Sequence, residues 1–263
     1  MLTVLSPAKS LDFESATPAN VAKLATQPQF IAQAKQLNKL LRKLDVPQLA
    51  QLMSISDKLA TLNVARNAEW SETFTLDNAK PAILAFNGDV YDGFDAKSMS
   101  VADLKQAQAR VRILSGLYGI LRPLDLLQAY RLEMGTALNN PKGKDLYAFW
   151  GEQLVKQLNA ELATHKHKVL INLASEEYFK AIPLKALDVP VVAPVFKDKK
   201  SGSYKIISFF AKRARGLMAR YAITHRLATP HQLEGFDLDG YAFAPASSTP
   251  ERLVFRRKAP PAL

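Results

Sequence analysis

Val111-Arg112-Ile113-Leu114, followed by Ser115-Gly116-Leu117-Tyr118-Gly119, is the stretch whose pattern decides the fold. An apolar run of strand length stops at a small polar residue and enters a loop punctuated by glycine. The pattern recurs: Leu2 to Leu5 ends at Ser6, Ile83 to Phe86 at Asn87, and Val169 to Ile171 at Asn172. Helical stretches lie between these runs. Ser100 can cap a helix that contains Leu104 and Ala107. Gly143-Lys144-Asp145 opens a longer one with Leu146, Phe149, Trp150, Leu154 and Leu158 at core spacing. Strand and helix in turn predict an α/β (α+β) fold with a mainly parallel or mixed central sheet flanked by helices. Ligands of such sheets sit beyond the carboxyl ends of the strands. That edge would gather Ser6 and Lys9, Asp89 and Tyr91, Ser115, Tyr118 and Arg122, and Asn172, Ser175, Glu177, Tyr178 and Lys180 into one cleft.

Each loop also has a structural explanation. Asn87-Gly88-Asp89 and Asp92-Gly93 are turn signals in their own right. Gly116 and Gly119 would let a phosphate approach the backbone, but their spacing fits neither the P-loop nor the dinucleotide fingerprint. Arg122-Pro123-Leu124-Asp125 and Tyr130-Arg131-Leu132-Glu133-Met134-Gly135 bring two guanidinium groups and an acid near that loop. Arg131 and Glu133 serve either the cleft or a structural ion pair.

Charge is unevenly spread. Residues 197–226 carry nine Lys and Arg against Asp198 alone, so this segment holds eight of the net +11 charges. Cations packed this densely on a folded protein imply a polyanionic partner or a solvated helix face. Ser203 to Phe210 is strand-like, and a helical period begins at Ala211. On that helix Lys212, Arg213, Arg215, Arg220 and Arg226 form a stripe opposite Ala214, Leu217, Met218 and Tyr221. Gly216 shares the basic side, where its missing side chain would admit a phosphate or another backbone. His225 falls on the apolar side, as a packed histidine would.

The chain has 263 residues and 48% hydrophobic content, enough for a large core. No linker divides it, so one domain spanning 1–263 is expected. The absence of cysteine excludes disulfides and thiolate metal sites. No stretch approaches a membrane span, and a cytoplasmic protein is expected. Arg256 to Leu263 looks like a loose tail.

Residues 30–70 predict a helical hairpin: one amphipathic helix from Phe30 to Leu44, then two shorter ones between Leu49 and Trp70. Ser54-Ile55-Ser56-Asp57-Lys58-Leu59-Ala60 resembles the helix-hairpin-helix motif, whose turn offers backbone N–H groups to a DNA phosphate. Ile55, Lys58, Leu59 and Ala60 match it in type and spacing. Ser54 and Ser56 stand in for its glycines and Asp57 for its second proline. A hairpin that only covers the core would use the same residues.

Taken together, Ser6-Pro7-Ala8-Lys9, Ile55 to Ala60, Gly88-Asp89-Val90-Tyr91, Leu114 to Asp125, Tyr130 to Gly135, Asn172 to Ser175 with Glu177-Tyr178-Phe179, and Ala211 to Met218 resemble the YaaA family of bacterial peroxide-stress proteins over nearly the full length. The resemblance implies a cytoplasmic protein that limits oxidative DNA damage, is associated with lowered free iron, and binds DNA through a basic cleft and a helix-hairpin-helix element. It implies no catalytic assignment. Within the matched and basic segments, Lys9, Ser54, Ser56, Lys58, Arg122, Arg131, Lys212, Arg213, Arg215 and Arg220 are the candidates for contact with double-stranded or branched DNA. The alternative is an enzyme acting on nucleic acid, in which Lys9 or Lys180 forms a Schiff base and Asp89, Glu133 or Glu177 acts as acid or base. Direct metal binding has little to support it. There is no Glu-x-x-His pair, and His165, His167, His225 and His231 are scattered. No cofactor, metal or obligatory protein partner is expected.

Overall fold

Leu2, Val4 and Leu5 are fully buried in strand β1 (Leu2–Leu5) of a computed structural model that describes residues 1–258. On one side β1 pairs in parallel with β2 (Val111–Ser115), which turns back into the antiparallel β3 (Gly119–Leu121). On the other side it pairs in parallel with β4 (Leu170–Leu173), itself parallel to β5 (Val191–Val192). The order is β3-β2-β1-β4-β5. All residues of β1 and β2 are buried, as expected of inner strands of a parallel sheet covered on both faces.

A second, mixed sheet lies outside the expectation. It comprises β6 (Val195–Lys200), β7 (Ser203–Lys205), β8 (Ala242–Phe243) and β9 (Val254–Arg257) in the order β7-β6-β9-β8. Phe196, Phe236, Tyr241 and Phe255 pack into its small aromatic core. The parallel register of β6 and β9 sets Asp198 beside Arg257, and the two form a fully buried ion pair at 2.6 Å. Arg256 and Arg257 therefore belong to a strand and not to a loose tail. Residues 259–263 of that expected tail lie outside the described residues.

The principal helices are α1 (Ile31–Leu41), α2 (Val46–Met53), α3 (Asp57–Glu69), α4 (Asp89–Phe94), α5 (Val101–Arg110), α6 (Gln153–Ala163) and α7 (Ser208–Thr224). Ser100 caps α5 by accepting from the Asp103 amide, and Leu104 and Ala107 are buried beneath it. The long helix expected after Asp145 is broken. Gly151 takes φ +49, which ends Leu146–Trp150 before α6 begins. Ala82–Ala85 is one helical turn, not a strand, and only Phe86–Asn87 is extended, paired with Ser10–Leu11. A four-residue apolar run fits either state, and its two alanines tip it toward helix. The strand expected through Phe210 stops at Lys205, since Ser208 to Phe210 already belong to α7.

α2 and α3 are packed together and joined by a short turn. Asp45 and Gln48 make a reciprocal capping box at its start, Ser54 turns the chain at φ 50, and Ser56 caps α3 by accepting from the Leu59 amide.

α7 crosses α4 with almost no space between backbones. A β-carbon on Gly216 would meet the Val90 carbonyl oxygen, and one on Gly93 the Arg213 carbonyl oxygen. Of the two expectations for Gly216, close approach of another backbone is the one observed. Asp92-Gly93 is helix rather than turn. His225 is exposed, stacked on Tyr221, because it closes the last turn of α7 instead of facing the core.

Candidate functional site

β1 has its next parallel neighbour β2 on one side, and the chain returns on the other side as β4. The sheet therefore reverses its winding between β1 and β4, where ligand crevices form in open α/β sheets. A cavity of about 460 Å³ opens there. The loops leaving the two strands are tied across it: the Ser6 hydroxyl accepts from the Ser175 amide at 2.8 Å and donates to the Ser175 hydroxyl at 3.2 Å. The Tyr91 hydroxyl donates to the Ser6 carbonyl at 2.9 Å and so binds the first loop to α4.

Four elements complete the wall. Gly88, Asp89 and Val90 come from the start of α4, and Lys212 and Arg215, one turn apart, from α7. Tyr130, Arg131 and Glu133 come from an extended segment after β3, and Glu177 and Tyr178 from the turn after β4. The α4–α7 crossing fixes Asp89 relative to Lys212 and Arg215. The spaced glycines after β2 serve packing and do not reach the cavity, because Gly116 lies against the Leu132 carbonyl and Gly119 against Trp150.

The charges divide into satisfied and unsatisfied groups. Glu133 bridges Lys9 at 2.7 Å and Arg131 at 3.0 Å. The Arg131 Nε is buried with no hydrogen-bond partner among the described residues. Glu177 accepts from the Gly135 amide at 3.0 Å. Asp89, Lys212 and Arg215 take part in no ion pair or side-chain hydrogen bond among the described residues. Burial pulls the pKa of Arg215 below the usual guanidinium range, opposed by Glu176. Burial also pushes the Tyr91, Tyr130 and Tyr178 hydroxyls upward, so all three are neutral phenols at physiological pH.

Thus Lys9, Asp89, Arg131, Glu133, Glu177, Lys212 and Arg215 meet at one cavity. Ser115 and Tyr118 are buried beneath it, where the Ser115 hydroxyl binds Tyr130 at 2.6 Å and Tyr118 receives the Trp70 indole N–H at 3.0 Å. Other candidates lie elsewhere. Arg122 is held by buried Asp125 at 2.8 Å, Arg213 by Asp239 at 3.0 Å, and Arg220 donates to the carbonyls of Phe94 and Asp95. Lys180 lines a neighbouring cavity of about 810 Å³ and lies 4.8 Å over the Tyr147 ring. Ser54, Ser56 and Lys58 are on the hairpin, at the far end of α3 from Arg66, which feels the charge of Arg131. Tyr130 and Asn87 line the cavity without having been candidates. The signal for Asn87 was its place at the end of an apolar run.

A Schiff-base lysine needs a desolvated amine. Lys9 is 65% exposed and ion-paired. Among the described residues no three His, Asp or Glu side chains group as metal ligands, and no helix is long and apolar enough to cross a membrane.

Fold and site together define a mixed α/β protein with a cavity, lined by both cations and carboxylates, at the switch point of a mainly parallel sheet. The chain belongs to the YaaA family: the family model described as peroxide stress protein YaaA matches residues 1–247. It is 59% identical over 257 residues to a UPF0246 protein of Polynucleobacter asymbioticus, covering 98% of each chain. It is 60% identical over 261 residues to a UPF0246 protein of Cupriavidus pinatubonensis, covering 98% of this chain and 99% of that one. It is also 60% identical over 259 residues to one of Ralstonia nicotianae, covering 98% and 100%.

Proposed function

We propose that this peroxide-stress protein binds duplex or branched DNA through backbone phosphates and thereby limits oxidative damage to DNA in the cytoplasm. The observation that carries this is the pair Lys212 and Arg215: two cations on one turn of α7 that line the cavity with Lys9 and Arg131 and make no ion pair or side-chain hydrogen bond among the described residues. Unneutralised cations at a concave site attract phosphate. The hairpin supports the same reading. Ser56 caps α3 and Lys58 lies in its first turn, about 12 Å along the helix from Arg66, which feels the charge of Arg131 at the cavity. The helix-hairpin-helix role and the basic cleft are parts of this proposal.

The test is a salt titration of affinity for a duplex and for a four-way junction, read by fluorescence anisotropy. With about six phosphates neutralised, log affinity falls with log salt at a slope near −5, and Lys212→Ala and Arg215→Ala each reduce it by about 0.9. A flat salt response, or a double variant with the wild-type slope, overturns the proposal.

A further inference from the structure

A surface built only to grip phosphates has no use for carboxylates, yet Asp89, Glu133 and Glu177 share the cavity with its cations. Glu133 and Glu177 are accounted for by Lys9, Arg131 and the Gly135 amide. Asp89 is not. Its side chain, in the first turn of α4, is half-buried, lines the cavity, and takes part in no hydrogen bond or ion pair among the described residues. A half-buried carboxylate left this way calls for a ligand that donates hydrogen, whereas Lys212 and Arg215 on the neighbouring helix call for an anion. One ligand must supply both. At about 460 Å³ the cavity is too small for a duplex and lies within the range of roughly 300 to 1,000 Å³ usual for small-ligand sites. Tyr130 and Tyr178 add aromatic surface to its lining.

We propose that this cavity binds a single nucleotide, its phosphate on Lys212 and Arg215 and the N–H donors of its base on Asp89, with the Tyr130 and Tyr178 rings contributing apolar contact. Carboxylates recognise bases through exocyclic amines and ring N–H groups. Guanine, with two adjacent donors, suits one carboxylate best, and thymine, with a single N–H between two carbonyls, suits it least. The nucleotide comes either free in solution or extruded from bound DNA; the second source rests on the DNA reading above, and the first does not.

The experiment has two arms on the full chain. Calorimetry measures dGMP, dCMP, dTMP and pyrophosphate, and 2-aminopurine emission is followed in a duplex carrying a three-nucleotide bubble. We expect dGMP to bind at least about tenfold tighter than dTMP. Asp89→Asn should narrow that ratio to about twofold while tightening pyrophosphate, because it removes a negative charge facing the phosphate site. If Asp89→Asn weakens dGMP and pyrophosphate equally, Asp89 is structural and its assignment falls. A rise in bubble emission assigns the extruded source. Salt-dependent duplex binding without nucleotide binding or an emission rise overturns the cavity's role and leaves the DNA reading intact. Nucleotide binding without duplex binding overturns the DNA reading and supports the free source.

Discussion

Replacing Gly216 by Ala tests the helix crossing on which the cavity depends. A β-carbon there would lie 1.8 Å from the Val90 carbonyl oxygen and 2.7 Å from the Phe94 amide nitrogen, whereas ordinary contact begins at 3.4 Å. Both obstructing atoms are backbone, so no rotamer change relieves them, and α4 and α7 must part by about 1.6 Å in a close-packed interior. Overpacking of this kind costs about 1–3 kcal/mol, and backbone obstruction places it near about 3. Alanine's better helix propensity returns about 1 kcal/mol, leaving a net loss of about 2. With a urea m-value of about 2.5 kcal/mol/M, the unfolding midpoint falls by about 0.8 M. Lys212→Ala, at an exposed site on the same helix, is the control and stays within about 0.5 kcal/mol of wild type. A Gly216→Ala midpoint at or above wild type, as propensity alone predicts, would show that the crossing is not rigid. The placement of Asp89, Lys212 and Arg215 around one cavity would then lose its basis.

Asp198→Asn leaves Arg257 charged in a site where both side chains are almost wholly buried, and it weakens the acceptor for the Tyr241 hydroxyl; a loss of about 3–5 kcal/mol in urea unfolding is expected, and one below about 1 contradicts the pairing. Ser54→Gly relieves a left-handed residue, φ 50, that is exposed. The relief of about 1–2 kcal/mol exceeds glycine's entropic cost, so melting rises by about 1–2 °C, and a lowered melting temperature would count against the turn geometry. The Ser15 hydroxyl and amide, then Lys97 and Lys80, hold Asp12 well below the usual carboxylate range. An acid with a depressed folded pKa stabilises the fold fully above its unfolded value of about 3.9; the contribution begins to fall there and is lost as pH drops towards the lower folded value. Urea midpoints measured from pH 6 down to pH 3 should therefore drop more steeply in wild type than in Asp12→Asn, and parallel curves would refute this.

The first sheet was legible because its inner strands are buried on both faces. Leu2 to Leu5 and Val111 to Leu114 are buried throughout, with Thr3 and Arg112 their polar members, whereas the similar run from Ile83 to Phe86 is mostly helical. The second sheet was hidden for the opposite reason. In β6 only Phe196 and Asp198 are buried, between Lys197, Lys199 and Lys200, and in β9 Arg257 is buried after two apolar residues. The ion pair that lets these charges enter the core joins residues 59 positions apart, and only the parallel register reveals it. The cavity was legible as far as strand ends define it, namely Ser6, Lys9, Asp89, Ser175, Glu177 and Tyr178. The wall contributed by α7 was visible as charge and Gly216 as a place of close approach, but its partner Gly93 was hidden behind the turn signal of Asp92-Gly93.

Ion pairs divide the basic residues of α7 unequally. A helical wheel places five basic residues on one stripe and treats them as equal, yet Arg226 lies beyond the end of α7 at φ 55. Arg213, Arg220 and Arg226 each reach an acid on another element, Asp239, Asp95 and Asp103, so their charges fasten α7 to its surroundings. Lys212 and Arg215 line the cavity and make no ion pair among the described residues, with Glu176 the acid whose charge reaches Arg215. The salt slope should accordingly respond to these two and hardly at all to Arg213, whose removal would instead be felt as lost stability. If Arg213→Ala lowers the slope as much as Lys212→Ala does, the stripe acts as one surface and the division of labour argued from the ion pairs is wrong.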